Sequence, residues 1–163
     1  MNTETHRTTC SRDCPDACGI VVAGLGEDGR GYVLADRTLQ GRDVQTWAKA
    51  ALAAYDDFEA DRIVAEVNQG GDLVVAVLNQ FREHVPVAKV HATRGKWLRA
   101  EPVAALYAEG RIAHVGRFTQ LEDQMCSFGA DGLAGGRSPD RVDALVWALT
   151  ELMGKAGPRV RGV

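Results

Sequence analysis

The sequence predicts an α/β domain, and three observations carry that expectation. Short β-branched runs alternate with longer stretches in which apolar residues recur every three or four positions. Turn-forming glycines separate the two kinds of segment. The chain has 163 residues, 45% of them hydrophobic and 25% charged, which suits one domain with a substantial core.

Gly19 to Leu25 reads as a strand. Glu27-Asp28-Gly29-Arg30-Gly31 is turn chemistry, and Tyr32 to Asp36 is the returning strand of a hairpin. Asp43 is placed to N-cap a helix with the apolar stripe Val44, Trp47, Ala48, Ala51, Leu52 and Tyr55. The run Ile63-Val64-Ala65-Glu66-Val67 is too short for a helix and reads as a buried strand with an acid in it. Gly70-Gly71 ends the run, and Leu73, Val74, Val77, Leu78 and Phe81 follow at helical spacing. In open α/β sheets, ligands gather at the carboxyl ends of strands, where Glu66 is expected. A carboxylate there is costly to desolvate unless it is paired or binds metal. The strand alone leaves both open.

Pro86 to Val90 is a further short strand. The basic residues Arg94, Lys96 and Arg99 follow its end and are candidates to meet a phosphate backbone. Trp97 among them is expected to tuck into the core. Pro102 suits the first turn of a helix that runs to about Glu109 and stops at Gly110. Arg111 to Val115 reads as a strand, Leu121 to Met125 as one or two helical turns, and Gly129 to Gly136 as a mobile loop. Ser138 as N-cap and Pro139 at the first helical position open the last helix. Its buried face is Val142, Leu145, Val146, Leu149, Leu152 and Met153. Asp140 in the first turn favours the helix dipole, whereas Asp143 flanks the apolar face and lies nearer the core. Gly154 ends the helix, and Lys155 to Val163 reads as a basic, flexible tail.

Lys and Arg number 19 and Asp and Glu 22, a net charge of −3. That balance argues against strong stand-alone binding to nucleic acid. The apolar runs are too short to span a bilayer. Met1 to Thr9 lacks the apolar core of a signal peptide, so a cytoplasmic protein with reduced thiols is expected. No phosphate-cradling G-x-x-x-x-G-K-[ST] stretch is present.

Residues 1–18 stand apart. Cys10, Cys14 and Cys18 are evenly spaced, and three of the four cysteines fall within nine residues. Such a cluster is a candidate iron–sulfur or zinc site. The remaining cysteine is Cys126, and His6 could serve as a fourth zinc ligand. Without a nearby fourth cysteine, no stable four-iron cluster is expected. The stretch Thr8-Thr9-Cys10-Ser-Arg-Asp-Cys14-Pro-Asp-Ala-Cys18-Gly-Ile20 resembles the N-terminal iron–sulfur motif of molybdopterin oxidoreductases.

An acid in a central strand and acids opening a late helix suit a divalent-metal site. Two hard cations about 4 Å apart, held by carboxylates, activate water and stabilise the leaving oxygen of a phosphodiester. From Asp16 to Met153 the chain resembles the C-terminal nuclease domain of phage and gene-transfer-agent terminase large subunits. The residues that carry the resemblance are Ala17 to Leu25, Arg62-Ile-Val-Ala-Glu-Val-Asn-Gln-Gly-Gly71, Arg99-Ala-Glu-Pro-Val-Ala-Ala-Leu-Tyr107, Leu121-Glu-Asp-Gln-Met125 and Ser138-Pro-Asp-Arg-Val-Asp-Ala-Leu-Val-Trp-Ala-Leu149. The resemblance implies a ribonuclease H-like mixed sheet flanked by helices over residues 19–154. A cysteine-containing segment, 1–18, would precede it and a tail, 155–163, would follow. It implies a metal-dependent DNA endonuclease for genome packaging, with double-stranded DNA and other packaging-motor subunits as partners. Mg²⁺ or Mn²⁺ would be held by Glu66 and by Asp140 or Asp143. The motif favours Asp140, and the helix geometry favours Asp143. Arg94, Lys96 and Arg99 would contact DNA.

The family's first metal-binding acid lies in a strand before the hairpin, normally in a Val-Asp-Pro sequence. That strand is expected to be missing here. Thr3, Thr5, Arg7 and Thr9 alternate with Glu4, His6 and Thr8, and nothing among them is apolar, whereas a central strand covered on both faces should be. The nearby acids Asp13 and Asp16 sit in turn-like sequence. The expectation is therefore a truncated nuclease, weakly active or inactive, that self-associates through an unpaired sheet edge. Two alternatives remain: an iron–sulfur fragment of a molybdopterin oxidoreductase, and a non-catalytic remnant that binds a partner.

Overall fold

The structure, a computed structural model, describes residues 4–9, 19–40, 43–67, 72–133 and 138–154. The strands are β1 (Glu4–Thr9), β2 (Val21–Leu25), β3 (Gly31–Asp36), β4 (Ile63–Glu66), β5 (Val87–Val90) and β6 (Ile112–His114). The helices are α1 (Val44–Asp57), α2 (Asp72–Phe81), α3 (Lys96–Ala108), α4 (Thr119–Ser127) and α5 (Asp140–Gly154). The strands form one sheet in the order β5-β4-β1-β2-β3-β6. β1 is antiparallel to β2 and parallel to β4, β2 is antiparallel to β3, β3 is parallel to β6, and β4 is parallel to β5. Every strand but β2 therefore ends at the same edge of the sheet.

The first strand is present, which corrects the sequence expectation. β1 lies in the middle of the sheet, with Thr8 paired to Val21 on one side and to Val64 on the other. α5 packs over it on one face and α1 on the other. The pairing is made by backbone N–H and C=O groups, which do not depend on side-chain polarity, and an empty slot would leave the edges of both β2 and β4 unpaired. The threonines of the segment also favour a pleated backbone. With the slot filled, the exposed edge on which self-association was expected does not exist between β2 and β4.

Alternation along the strands divides the core between two faces. Val21, Ala23 and Val33 pack with Val142, Leu145, Leu149 and Leu152 of α5. Ile20, Ile63, Ala65 and Val67 pack with Trp47, Ala48, Ala51, Val74 and Leu78 from α1 and α2. On β4, Val64 and Glu66 therefore face away from α1 and α2. Asp43 caps α1 as expected, its Oδ1 accepting from the backbone N–H groups of Gln45 and Thr46.

Helix α3 begins six residues before Pro102, so the proline lies inside the helix instead of opening it. It leaves the carbonyl of Leu98 without its helical donor. Leu98 is exposed, so water can take that carbonyl. Trp97 is likewise not in the core. It is 38% exposed and leans on Phe128, with ring centroids 5.7 Å apart. Residues 10–18, Gly70-Gly71, the end of the glycine-rich loop at 134–137 and the tail 155–163 lie outside the described residues.

Candidate active site

Glu66 is the last residue of β4 and sits at the edge where five strands end. Asp140 and Asp143 open α5. All three are buried, with 6%, 4% and 6% of their surface exposed. Gly19, just before β2, brings α5 this close. A Cβ at that position would lie 2.1 Å from the carbonyl oxygen of Asp140, so any side chain there would push the acid-bearing turn off the sheet.

One arginine joins Glu66 to Asp143. Arg99 of α3 places Nη1 3.4 Å from Glu66 Oε2 and Nη2 2.9 Å from Asp143 Oδ1. Two acids that hold neighbouring nitrogens of one planar guanidinium are separated only by the width of its fork and two contact lengths. The guanidinium also lies over the Trp147 ring, 4.7 Å from its centroid. The Trp147 indole N–H donates to Glu66 Oε2 at 2.7 Å. Lys96 Nζ stands 3.3 Å from Asp143 Oδ2 and donates to Ser138 Oγ at 2.9 Å. The Ser138 hydroxyl donates in turn to Asp140 Oδ1. Ser138 thus links Lys96 to Asp140, and the backbone N–H of Val142 is met from another helix, by Gln124 Oε1 of α4 at 2.9 Å.

The electrostatics are those of negative charge drawn out of water. Burial pushes the Asp143 carboxyl above its ordinary value. Lys96 and Arg99 oppose that rise, and the charge of Glu66 adds to it. The cluster belongs to a wider frame. Arg141 Nε donates to Asp36 Oδ2 at 2.8 Å and its Nη2 to Gln120 Oε1, so the first turn of α5 is tied to the end of β3 and to α4. Farther along α5, Glu151 pairs with Arg62 at 3.4 Å.

The sequence-derived candidates thus divide into four groups. Glu66, Asp143, Lys96 and Arg99 meet directly, and Asp140 joins through Ser138. Arg94 is exposed in the loop before α3. Cys10, Cys14 and Cys18 lie outside the described residues, and Cys126 is an exposed free thiol. Among the described residues, no three His, Cys, Asp or Glu side chains are gathered as a ready metal cage. β1 restores the first strand but brings no acid to this edge: its one acidic residue, Glu4, is paired with Leu25 at the opposite end. Trp147 was not singled out in the sequence. The signal lay in its spacing, since four residues after Asp143 puts it on the same side of α5.

The family model described as "Terminase RNaseH-like domain" matches residues 10–152. The chain belongs to this terminase family. The match begins six residues earlier than the resemblance at Asp16. No curated protein matches the sequence. Solved structures share the fold. The large terminase nuclease of thermophilic phage G20c, in a crystal structure with bound magnesium, is 16% identical with a TM-score of 0.72 over 92% of this chain and 82% of that one. The HK97 bacteriophage large terminase is 14% identical with a TM-score of 0.70, over 96% of this chain and 40% of that one. RuvC of Thermus thermophilus is 14% identical with a TM-score of 0.54, over 93% and 95%. The G20c nuclease has also been crystallised with zinc and with cobalt. No helix among the described residues is long and apolar enough to cross a membrane.

Proposed function

We propose that the chain is a divalent-metal-dependent DNA endonuclease of weak intrinsic activity, acting on double-stranded DNA during phage-type genome packaging. The observation that carries this reading is the joining of Glu66 to Asp143 through Arg99 at the carboxyl edge of the sheet in a terminase-family domain, with Asp140 linked in through Ser138. The donor set fits the role. Three buried carboxylates offer hard oxygen ligands of the kind Mg²⁺ and Mn²⁺ prefer. The raised Asp143 carboxyl indicates that Lys96 and Arg99 do not fully offset its burial and the charge of Glu66.

Glu66 and Asp143 are the residues to hold the cation, with Asp140 beside them. When bound, divalent ions there supply the activation of water and the charge neutralisation that phosphodiester hydrolysis needs. The protein groups do the rest. Trp147 fixes the Glu66 carboxylate through its indole N–H, and Ser138 fixes Asp140. Arg94 in the loop before α3 and Lys96 at its start offer positive charge to a DNA backbone passing the edge. Weak activity is expected because, among the described residues, β1 brings no acid to this edge beside Glu66 and the α5 aspartates.

The test is nicking of supercoiled plasmid in MgCl₂ and in MnCl₂. The expected result is slow nicking that needs the metal, runs faster in MnCl₂, and disappears in Glu66→Ala and Asp143→Asn. Nicking undiminished in Glu66→Ala, or no nicking in either salt, would overturn the proposal.

A further inference from the structure

We infer that Arg99 is the site's built-in counter-cation: it occupies the acidic edge when no divalent ion is bound and must be displaced from between Glu66 and Asp143 for one to bind. This rests on the metal reading of the site given above. The geometry shows one guanidinium bound to both acids at once, Nη1 on Glu66 and Nη2 on Asp143. A cation that binds those same oxygens takes up the lone pairs Arg99 uses. It would also stand a few Å from a fixed positive charge in a poorly screened place, where like charges repel strongly. The arginine and the divalent ion are therefore competitors.

Three further features point to an occupant that is held by the acids and can leave them. The Arg99 side chain is only 10% exposed, yet its buried Nε–H has no hydrogen-bond acceptor among the described residues. A purely structural buried arginine would be expected to satisfy all its donors. Second, α3 opens with Lys96 and Arg99 and has no acid in its first turn and no side-chain cap from Gly95. Cations at a helix N-terminus oppose the dipole, so the helix itself does not favour them there and the acids do. Third, the guanidinium rests against the flat face of Trp147, a surface along which it can slide without breaking a directional bond. Together with Lys96, which stands 3.3 Å from Asp143 Oδ2, Arg99 supplies positive charge to two buried carboxylates that are costly to hold in a dry environment.

Two measurements on the full chain decide the matter. In the first, MnCl₂ is titrated calorimetrically into wild type, Arg99→Gln and Glu66→Gln, with melting temperatures recorded at each metal concentration. The expected result is that Arg99→Gln binds Mn²⁺ roughly tenfold or more tightly than wild type. It should also melt lower than wild type without metal and gain more in melting temperature from it, while Glu66→Gln loses the binding. Equal affinity in wild type and Arg99→Gln, or weaker binding in Arg99→Gln, overturns the inference while leaving the metal reading intact. Binding by none of the three overturns both. The second measurement does not depend on a variant that might fold poorly. In ¹⁵N-labelled wild type, saturating MgCl₂ should shift the Arg99 Nε–H and Trp147 indole N–H resonances together. Saturable binding that moves the Glu66 backbone amide but leaves the Arg99 Nε–H in place overturns displacement.

Discussion

Gly19 has no chemistry of its own, yet it sets the distance on which the acidic edge depends. The carbonyl of Asp140 lies where its Cβ would be, and the neighbouring contact is backbone, which cannot rotate away. Gly19→Ala should therefore destabilise the fold by about 1–3 kcal/mol, the usual range for overpacking, and loosen the first turn of α5. Thermal unfolding with near-ultraviolet dichroism of Trp147 reads both effects, and a wild-type melt with unchanged dichroism would mean that α5 sits farther from the sheet. A second residue-scale prediction concerns Glu122. Its carboxyl is held below the ordinary value of 4.5, first by the backbone N–H of Phe118 at 3.1 Å and then by His114 Nδ1 at 3.0 Å. Tyr107 O–H completes the chain from the other ring nitrogen, at 2.7 Å. A depressed carboxyl stabilises the fold above its unfolded value, and that contribution is lost as pH falls through the lowered one. Glu122→Gln should accordingly melt below wild type at neutral pH, with the gap closing as pH drops below 4.5. A gap that stays constant down to the acid transition would show that the carboxylate charge contributes nothing.

At the scale of elements, the sequence was legible where side-chain periodicity decides the structure. The β2–β3 hairpin, the Asp43-capped α1, the strand ending in Glu66 and the apolar face of α5 all follow from spacing together with turn and capping residues. It misled where the backbone decides. β1 is polar throughout, and its place between β2 and β4 comes from ladder pairing that alternation does not report. Pro102 suggested a helix start because prolines favour first turns, but a proline inside α3 is tolerated where the carbonyl it abandons faces water. Trp97 misled for a related reason: size suggests burial, but it leans on Phe128 and stays 38% exposed, whereas Trp147 meets Glu66 and Arg99. The central position of β1 has a direct consequence. Thr8 is paired on both sides, so Thr8→Pro must break a ladder bond wherever its N–H points, at a cost on the order of 3 kcal/mol. Chemical denaturation should show that loss, and an unaltered midpoint would contradict a central β1.

For the whole molecule, the acids could be nominated from the sequence, but their company could not. Glu66, Asp140 and Asp143 stand out as charged residues at element ends beside apolar faces. That one arginine from α3 would bind two of them, and that an indole from α5 would share the contact, depends on how three separate elements converge at one edge of the sheet. The family match and the shared fold place this edge in a terminase RNase H-like domain. The proposed divalent-metal site at this edge is built on Glu66 and Asp143. It is tested most directly by crystals soaked in MnCl₂ and measured at a wavelength where manganese scatters anomalously. The expected result is an anomalous peak within ligand distance of Glu66 and Asp143 carboxylate oxygens, with the Arg99 guanidinium moved out from between them. A map with Arg99 still bridging the two acids and no peak at that edge, from crystals that take up manganese elsewhere, would contradict it.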